Sequence, residues 1–260
     1  MHPRLTAPEV KPRILARSIV FNVLFYLNIT VRMIVGLPTI ALPHAFILGV
    51  LRGWSRSSLW LLLAICGITV EWRGRQKIPR GACIIACKHQ SAWETFSLFE
   101  ILDDPTYVLK RELMWVPLFG WLARKAGMIP IDRGARVSAL ARMAARARDE
   151  IARGRQIVIF PEGTRRAPGA EPRYLPGVAY LYAETKLACV PVALNSGLFW
   201  PRRSLRRLPG TVLVEVLDPI PPGLDRRTFL ARLQSVTEAA TARLVQESVN
   251  RDQESGAVDA

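Results

Sequence analysis

The sequence predicts an α/β protein whose central sheet is mixed but largely parallel and is flanked by helices, with an N-terminal membrane-associated helical hairpin. Two observations support this prediction. From about residue 70 to residue 218, short apolar runs alternate with helical patterns and turn residues, as in layered α/β domains. Before that stretch, residues 18–51 are almost free of charge. We therefore divide the chain into an N-terminal arm with membrane-associated helices (1–66), an α/β domain (67–250) and a disordered tail (251–260).

The N-terminal part contains two apolar runs. Ser18–Val31 has no charged residue, Arg32 follows it, and Met33–Leu51 is a second uncharged run interrupted by two prolines. A membrane-spanning helix needs roughly 20 apolar residues, so the first run is short and the second is interrupted. The pattern favours a re-entrant or tilted hairpin; two ordinary spans and a soluble helical subdomain are the alternatives. The apolar region is too long, and lacks the cleavage site, for a signal peptide.

The remaining elements follow from periodicity and turn residues. A third apolar segment, Trp60–Val70, indicates a helix that runs into a strand. The predicted strands are Ile68–Trp72, Ala82–Cys87, Thr106–Leu109, Met128–Ile131, Gln156–Phe160, Cys189–Ala193 and Val212–Val216. The predicted helices are Thr95–Leu102, Val137–Ala152, Gly177–Lys186 and Asp225 to about Val249.

The charge balance points to an anionic partner. The chain has 36 Lys and Arg against 21 Asp and Glu, a formal net charge of +15. Nucleic acid, a membrane surface and phosphorylated ligands all fit such a charge. Nucleic acid is disfavoured because the chain has no basic-aromatic recognition motif and begins with a membrane-like segment. The basic loop 200–207 instead suits an anionic bilayer surface.

The four cysteines all lie in apolar runs, and their spacing matches no zinc pattern. They are predicted to be reduced core residues, which is consistent with a cytoplasmic location.

A polar turn between a strand and a helix carries the candidate general base. The buried run Ala82–Cys87 delivers His89 to this turn, and Glu94 follows five residues later. A carboxylate near a histidine fixes its tautomer and stabilises the imidazolium. Ser91 and Glu94 also fit a capping box, in which Glu94 serves the helix start. A third interpretation is a Cys–His acyl-enzyme through Cys87, although a cysteine in an apolar strand is usually a core residue.

Polar and basic residues follow three further strands. Phe160–Arg166 directly follows a predicted strand, where Gly163 permits close backbone approach and Thr164 and Arg165 offer a hydroxyl and a guanidinium. Arg133 follows the short strand 128–131 and suits a phosphate group; its alternative role is a surface ion pair. Lys110 follows another predicted strand, Thr106–Leu109, and could add a second positive charge at the same edge.

Taken together, these motifs resemble the lysophosphatidic acid acyltransferase family of glycerolipid acyltransferases. The family's His-x4-Asp motif appears as His89-x4-Glu94, and its Gly-x-Ile-x-Ile-Asp-Arg motif as 127–133. Its Phe-Pro-Glu-Gly-Thr-Arg motif is 160–165 without change, and its Val-Pro-Val strand is 190–192. The four motifs occur in the family's order and cover about residues 70–200. Glu94 in place of aspartate is the departure, and its extra methylene changes the reach toward the histidine.

The resemblance implies transfer of a fatty acyl group from acyl-CoA or acyl carrier protein to the sn-2 hydroxyl of 1-acyl-sn-glycerol-3-phosphate, giving phosphatidic acid. His89 is the implied base and Glu94 its orienting carboxylate. Arg133, Arg165 and Lys110 would hold the acceptor's phosphate. The implied pocket and wall residues are Glu162, Gly163, Thr164 and Pro191. No metal or redox cofactor is implied.

We also expect the protein on the cytoplasmic face of the (inner) plasma membrane, embedded through its N-terminal helices among its lipid substrates. Two other functions stay open. One is acylation of a different lysolipid, such as a lyso-ornithine lipid, and the other is a non-enzymatic basic membrane adaptor.

Overall fold

The computed structural model describes residues 12–132 and 136–258, and a seven-stranded sheet forms its centre. The strands are β1 (Ile68–Arg73), β2 (Ile84–Cys87), β3 (Pro105–Lys110), β4 (Ile129–Ile131), β5 (Gln156–Ile159), β6 (Cys189–Leu194) and β7 (Gly210–Val216). Their order is β1-β7-β6-β2-β5-β3-β4. Neighbouring strands run parallel except β6 and β7, which are antiparallel. The predicted mixed, largely parallel sheet is confirmed.

Seven α-helices surround this sheet in the described part of the chain. They are α1 (Pro12–Gly36), α2 (His44–Leu61), α3 (Glu94–Ser97), α4 (Phe119–Lys125), α5 (Arg136–Ile151), α6 (Pro176–Thr185) and α7 (Arg226–Val258). Helix α4 was not predicted, because seven residues are too few to show a helical period. The helix predicted over 95–102 is instead the short α3 followed by a 3-10 turn over Leu98–Glu100.

The helices form a layer on each face of the sheet. Buried residues of α5, α6 and α7 pack on one face against alternate strand residues such as Ile84 and Ile157. The N-terminal helices, α3 and α4 pack on the opposite face against the intervening strand residues, such as Ile85 and Val158. Because side chains alternate along a strand, consecutive residues of β2 and β5 serve different layers.

The predicted hairpin is present, but its turn lies later in the chain than the sequence suggested. Helix α1 continues through Arg32, since arginine is a good helix former, and the chain reverses between Leu37 and Pro43, where prolines end the helix. The two helices are antiparallel: the Asn28 amide donates to the Ser57 hydroxyl at 2.9 Å. The region Pro12–Ala41 is long and apolar enough to cross a membrane, with 22% of its apolar window buried.

This hairpin shares a core with the α/β domain. The ring of Phe25 lies 5.3 Å from that of Trp200 and 5.6 Å from that of Phe96, and Phe21 and Ile47 are fully buried. Removing the hairpin would therefore expose core aromatic residues. The domain boundaries 1–66 and 67–250 stay predictions.

The C-terminal helix is longer than predicted. The sequence indicated an end near Val249 and a disordered tail, whereas α7 continues to Val258. Ion pairs hold this extension: Arg251 contacts Glu247 at 2.6 Å, one helical turn earlier, and Glu71 of β1 at 3.1 Å.

Candidate active site

His89 and Glu94 form a hydrogen-bonded pair in the turn after β2. His89 Nδ1 lies 2.9 Å from Glu94 Oε1; the carboxylate is fully buried, and 12% of the histidine side chain is exposed. Glu94 Oε1 also accepts the backbone N–H groups of Gln90 and Ser91, at 2.6 and 2.7 Å. Its Oε2 accepts the hydroxyls of Ser91 and Ser196, at 3.0 and 2.9 Å. Five donors therefore surround the two oxygens of Glu94 and compensate for the burial of its charge.

This environment keeps Glu94 ionised. Burial alone raises the pKa of a carboxyl group, but the hydrogen bond and charge of His89, together with the backbone donor Ser91, outweigh it and lower the pKa of Glu94. An ionised acceptor at Nδ1 places the histidine proton there, which leaves Nε2 as the basic nitrogen.

The predicted capping box with Ser91 as N-cap is not formed, because α3 begins at Glu94 and its N-cap, Trp93, has no side-chain capping hydrogen bond. Ser91 and Glu94 instead hold together the turn that precedes the helix. Ser91 Oγ accepts the backbone N–H of Trp93 at 2.8 Å, while the N–H of Ser91 donates to Glu94. The longer glutamate side chain reaches both these groups and the imidazole, so one carboxylate builds the turn and orients His89.

A second buried carboxylate supports the turn from below. Glu162 Oε2 accepts the backbone N–H of His89 at 3.0 Å, and its Oε1 lies 2.8 Å from Lys88 Nζ. Lys88 also contacts Glu238 of α7 at 2.6 Å, and Glu238 accepts the Tyr174 hydroxyl at 3.0 Å. Burial raises the pKa of Glu162, and the Lys88 charge partly offsets that effect. Glu162 was predicted to shape the substrate pocket; its side chain is instead fully buried and positions the backbone of His89.

The loop after β5 packs against the same turn. Phe160 stacks on the His89 ring, with centroids 4.1 Å apart. Gly163 has φ 62°, which favours glycine, and its N–H donates to Phe160 O at 2.9 Å. The N–H of Arg166 donates to His89 O at 2.8 Å, which ties the loop to the turn.

The side chains of His89 and Phe160 line a cavity of about 670 Å³ between the hairpin, β3 and α4. Most of its wall is apolar, including Phe25, Met33, Val50, Leu51, Trp54, Phe99, Leu109, Leu122 and Met128. Its basic residues are Arg32, Lys110, Arg165, Arg202, Arg203 and Arg207. No aspartate or glutamate is among the described residues that line it. This size and lining suit an amphiphile with an apolar tail and an anionic head.

The other predicted site residues have different positions. Arg165 is exposed and Lys110 is half-exposed; both line the cavity, and Lys110 pairs with Glu112 at 3.0 Å. Thr164 is exposed outside the cavity lining. Arg133 lies outside the described residues.

Pro191 does not line the cavity. It pairs with Ala86 and, by alternation along β6, shares the face of Cys189, which packs in the layer of α5, α6 and α7. Pro191 was expected to form a wall beneath the acyl chain or the motif loop; it does not lie beneath the cavity, because the cavity is on the other face, and its contact with the motif loop stays a prediction.

Burial decides two further expectations, the Cys–His acyl-enzyme and the contact of Arg207 with lipid. Cys87 is fully buried, and burial raises the pKa of its thiol well above the ordinary range, which argues against a Cys–His acyl-enzyme. Arg207 of the basic loop is also buried: its guanidinium lies 4.1 Å from the Trp200 ring centroid and donates to Asn22 Oδ1 at 2.6 Å. It joins the loop to α1 and is not free to contact lipid.

Sequence reasoning missed Ser196 and Glu238 as supports of the turn. They lie 102 and 150 residues from their partners Glu94 and Lys88, so no local pattern connects them. Lys88 adjoins the motif, but its contacts were not foreseen from the apolar strand that precedes it.

The family model "Acyltransferase" matches residues 69–195 of this chain. A 1-acyl-sn-glycerol-3-phosphate acyltransferase of Pseudomonas aeruginosa is 38% identical over 167 residues, covering 64% of this chain and 65% of that protein. A lyso-ornithine lipid O-acyltransferase of the same organism is 32% identical over 205 residues, covering 71% of this chain and 78% of that protein. The matches to the first curated relatives span about half to two thirds of those proteins' length.

A solved structure shares the fold. The crystal structure of the 1-acyl-sn-glycerophosphate acyltransferase PlsC from Thermotoga maritima has a TM-score of 0.72, with 20% identity, and covers 88% of this chain and 97% of that one.

Proposed function

The chain belongs to the glycerolipid acyltransferase family of the 1-acyl-sn-glycerol-3-phosphate acyltransferases, and on that premise we propose that it transfers a fatty acyl group from a thioester to the sn-2 hydroxyl of 1-acyl-sn-glycerol-3-phosphate. The product would be phosphatidic acid, and the donor acyl-CoA or acyl carrier protein. The observation that carries the proposal is the His89–Glu94 pair at the wall of a largely apolar cavity that also has basic residues.

The reaction needs one proton acceptor and a fixed geometry. Nε2 of His89 takes the proton of the acceptor hydroxyl as its oxygen attacks the thioester carbonyl carbon. The carbon–sulfur bond then breaks, and the imidazolium returns the proton to the leaving thiolate. Glu94 holds the ring and stabilises the imidazolium. Aligning hydroxyl and thioester supplies much of the remaining rate enhancement. These steps use side chains alone, so we expect no metal or redox cofactor.

The charges of the cavity favour a phosphate-bearing acceptor. Arg165 is exposed and lines the cavity, so its guanidinium can reach a ligand bound there. An ornithine headgroup carries an amine as well as a carboxylate, and the described lining offers that amine no carboxylate partner.

A lyso-ornithine lipid is nevertheless the second candidate acceptor, since the Pseudomonas aeruginosa relative named for that substrate matches 71% of this chain, against 64% for the 1-acyl-sn-glycerol-3-phosphate acyltransferase of the same organism. The deciding experiment supplies purified full-length protein with both lysolipids, each with acyl-CoA and with acyl carrier protein as donor. Product formation from 1-acyl-sn-glycerol-3-phosphate well above that from the lyso-ornithine lipid supports the first candidate. The reverse ratio supports the lyso-ornithine lipid as the acceptor. If no combination of acceptor and donor gives product, the non-enzymatic membrane adaptor is the function that is left.

We also propose that the protein works at the cytoplasmic face of the membrane, with the hairpin in one leaflet. The apolar surface of α1 supports this location: Val23, Tyr26 and Leu27 are more than half exposed. Exposed Arg202, Arg203 and Arg206 beside it would contact anionic headgroups.

A further inference from the structure

Exposed large hydrophobic side chains are confined to one side of the protein. Among the described residues they lie in three places: residues 15–63, residues 113–121 and Leu205. The described side chains of α5, α6 and α7 contribute none. The first place is the hairpin, but residues 113–121 belong to the α/β domain, and no motif found in the sequence accounts for them.

Residues 110–121, called the tryptophan loop below, run from the end of β3 into the first turn of α4 and present apolar side chains outward. A 3-10 turn over Arg111–Trp115 leads into α4, with Trp115 66% exposed and Trp121 54% exposed, while Met114 is buried. Leu118 has a positive φ of 62°, a backbone conformation that residues other than glycine rarely adopt. At Gly120 a Cβ would lie 2.0 Å from Met114 O, so only glycine permits this packing. The fold thus accepts backbone strain next to two outward-facing tryptophans.

This loop continues the apolar surface of the hairpin. A Cβ at Gly36, at the end of α1, would lie 3.4 Å from the Leu122 side chain of α4. Lys125 donates to the carbonyl of Leu42, and Leu42 is one of the exposed apolar residues at the hairpin turn.

The tryptophan loop forms part of the cavity wall and has a small positive charge, two cations against one carboxylate over residues 110–121. Lys110 pairs with Glu112 at 3.0 Å and Arg111 with Asp132 at 3.1 Å. The Arg111 guanidinium also lies 5.8 Å from the Trp115 ring centroid. Tryptophan beside arginine is typical of the boundary between headgroups and acyl chains. Lys110, Leu113 and Phe119 line the cavity, as do Tyr26 of α1 and Leu205 of the basic loop.

We propose that residues 110–121 are a second membrane-contact element, with Trp115 and Trp121 seated in the headgroup boundary of an anionic leaflet. The cavity then opens between this loop and α1 into the leaflet, and a lysolipid reaches His89 sideways without leaving the bilayer. This inference rests on the proposed membrane location and adds an anchor from the α/β domain itself.

The test measures binding of the full-length protein to vesicles of phosphatidylcholine with and without phosphatidylglycerol. The variants are Trp115→Ser with Trp121→Ser, and the matching pair of phenylalanine substitutions. Tyr180→Ser, an aromatic substitution on α6 in the opposite layer, is the control. Losing the burial of one large side chain weakens partitioning by about tenfold. We expect the serine pair to bind at least tenfold more weakly, while the phenylalanine pair and the control stay near wild type. Thermal unfolding of each variant establishes that it is folded.

Fluorescence gives a second readout. Brominated phosphatidylcholine in the vesicles should quench wild-type emission more than that of the phenylalanine pair, because the pair has lost the two membrane-seated indoles. Equal quenching, or wild-type binding by the serine pair, overturns the proposal. So does a loss of self-association in the serine pair without loss of vesicle binding, which would assign the patch to a second copy of the chain.

The same experiment separates this inference from the proposed function. If the wild type does not bind vesicles, the membrane location itself fails. If it binds and the serine pair binds equally, only the role of the loop fails. Trp115 and Trp121 do not line the cavity, so a water-soluble short-chain acceptor should be acylated at the wild-type rate by the serine pair.

Discussion

The ammonium of Lys88 lies 2.8 Å from the carboxylate of Glu162, and both side chains are at most 4% exposed. This ion pair stands directly beneath the candidate base, because the other oxygen of Glu162 accepts the backbone N–H of His89. Glu238 of α7 is the second partner of Lys88, so the C-terminal helix is connected to the candidate active site by charge.

Lys88→Met should therefore damage both stability and activity. Removing one member of a buried ion pair leaves the other charge uncompensated, at a cost of about 3–5 kcal/mol in the free energy of unfolding. Urea denaturation measures that loss, and Glu238→Gln, whose carboxylate is partly exposed, should lose much less. Equal stability of Lys88→Met and wild type would contradict the buried pair.

His89→Ala should abolish transfer and leave the protein folded and membrane-bound. A positioned general base typically contributes about 10²- to 10⁴-fold in rate, and no other described histidine lines the cavity. His44→Ala is the matched control, because His44 pairs with Asp104 at 2.9 Å and lies away from the cavity. Near-normal turnover by folded His89→Ala protein would contradict the role of His89 as the general base.

Glu94→Gln separates orientation of the histidine from construction of the turn. An amide oxygen can replace Oε1, and its NH₂ group can donate to the two hydroxyls that now donate to Oε2, so the hydrogen bonds are retained. We expect a folded variant whose melting temperature is lowered only by the loss of the carboxylate's charge, and a kcat lower by about two orders of magnitude or more, because the neutral amide no longer stabilises the imidazolium. Glu94→Asp should keep part of the activity. A glutamine variant with full activity but low stability would favour a purely structural Glu94.

Because Glu94 is ionised in the folded protein, we also expect the free energy of unfolding to decrease at acid pH. Its pKa is lower in the folded protein than in the unfolded chain, so its contribution is fully present above the ordinary value of 4.5 and is lost as the pH falls below it. Unfolding measured between neutral pH and pH values below 4.5 should show this loss in wild type and a smaller one in Glu94→Gln. Parallel pH profiles for the two proteins would contradict the lowered pKa.

Arg165→Ala should chiefly raise the KM for the lysophospholipid acceptor. A charge-assisted hydrogen bond to phosphate contributes about 1.5–3 kcal/mol, which corresponds to roughly 10- to 100-fold in KM. Arg166→Ala is the neighbouring control, since its guanidinium donates to Glu171 O at 3.0 Å. We predict the same KM effect for Arg133→Ala. An acceptor titration with unchanged KM for both Arg133 and Arg165 variants would exclude phosphate binding by these residues.

The membrane surface of α1 is best tested by point substitution. Deletion of residues 1–52 would also remove the buried side chains of Phe21, Phe25 and Ile47 and unfold the core. Val23→Glu with Leu27→Glu changes only exposed positions outside the cavity lining. Vesicle binding should fall strongly in this pair. In wild type it should rise with anionic lipid and decrease only partly at high salt, since apolar insertion is insensitive to screening.

The sequence by itself determined the strands, the long helices, the His89–Glu94 pairing and the family. Each of these features depends on residues close together in the chain. Strands and helices show hydrophobic periods of about 2 and 3.6 residues, and each motif spans at most seven residues. The hairpin is also recognisable from the sequence, but its turn lies at the prolines between Leu37 and Pro43 and not at Arg32, because an arginine is compatible with a helix whereas a proline ends one.

Tertiary structure alone decided which residues support the pair and which face the cavity. Ser196 and Glu238 reach the catalytic turn only because β6 lies beside β2 and α7 packs across the sheet, contacts that span more than a hundred residues. Glu162 is buried and Pro191 faces the other layer for a similar reason: a strand alternates its side chains, and which face holds the cavity depends on where the hairpin packs. Local patterns carry propensity, whereas the position of a cavity depends on packing between elements distant in the chain.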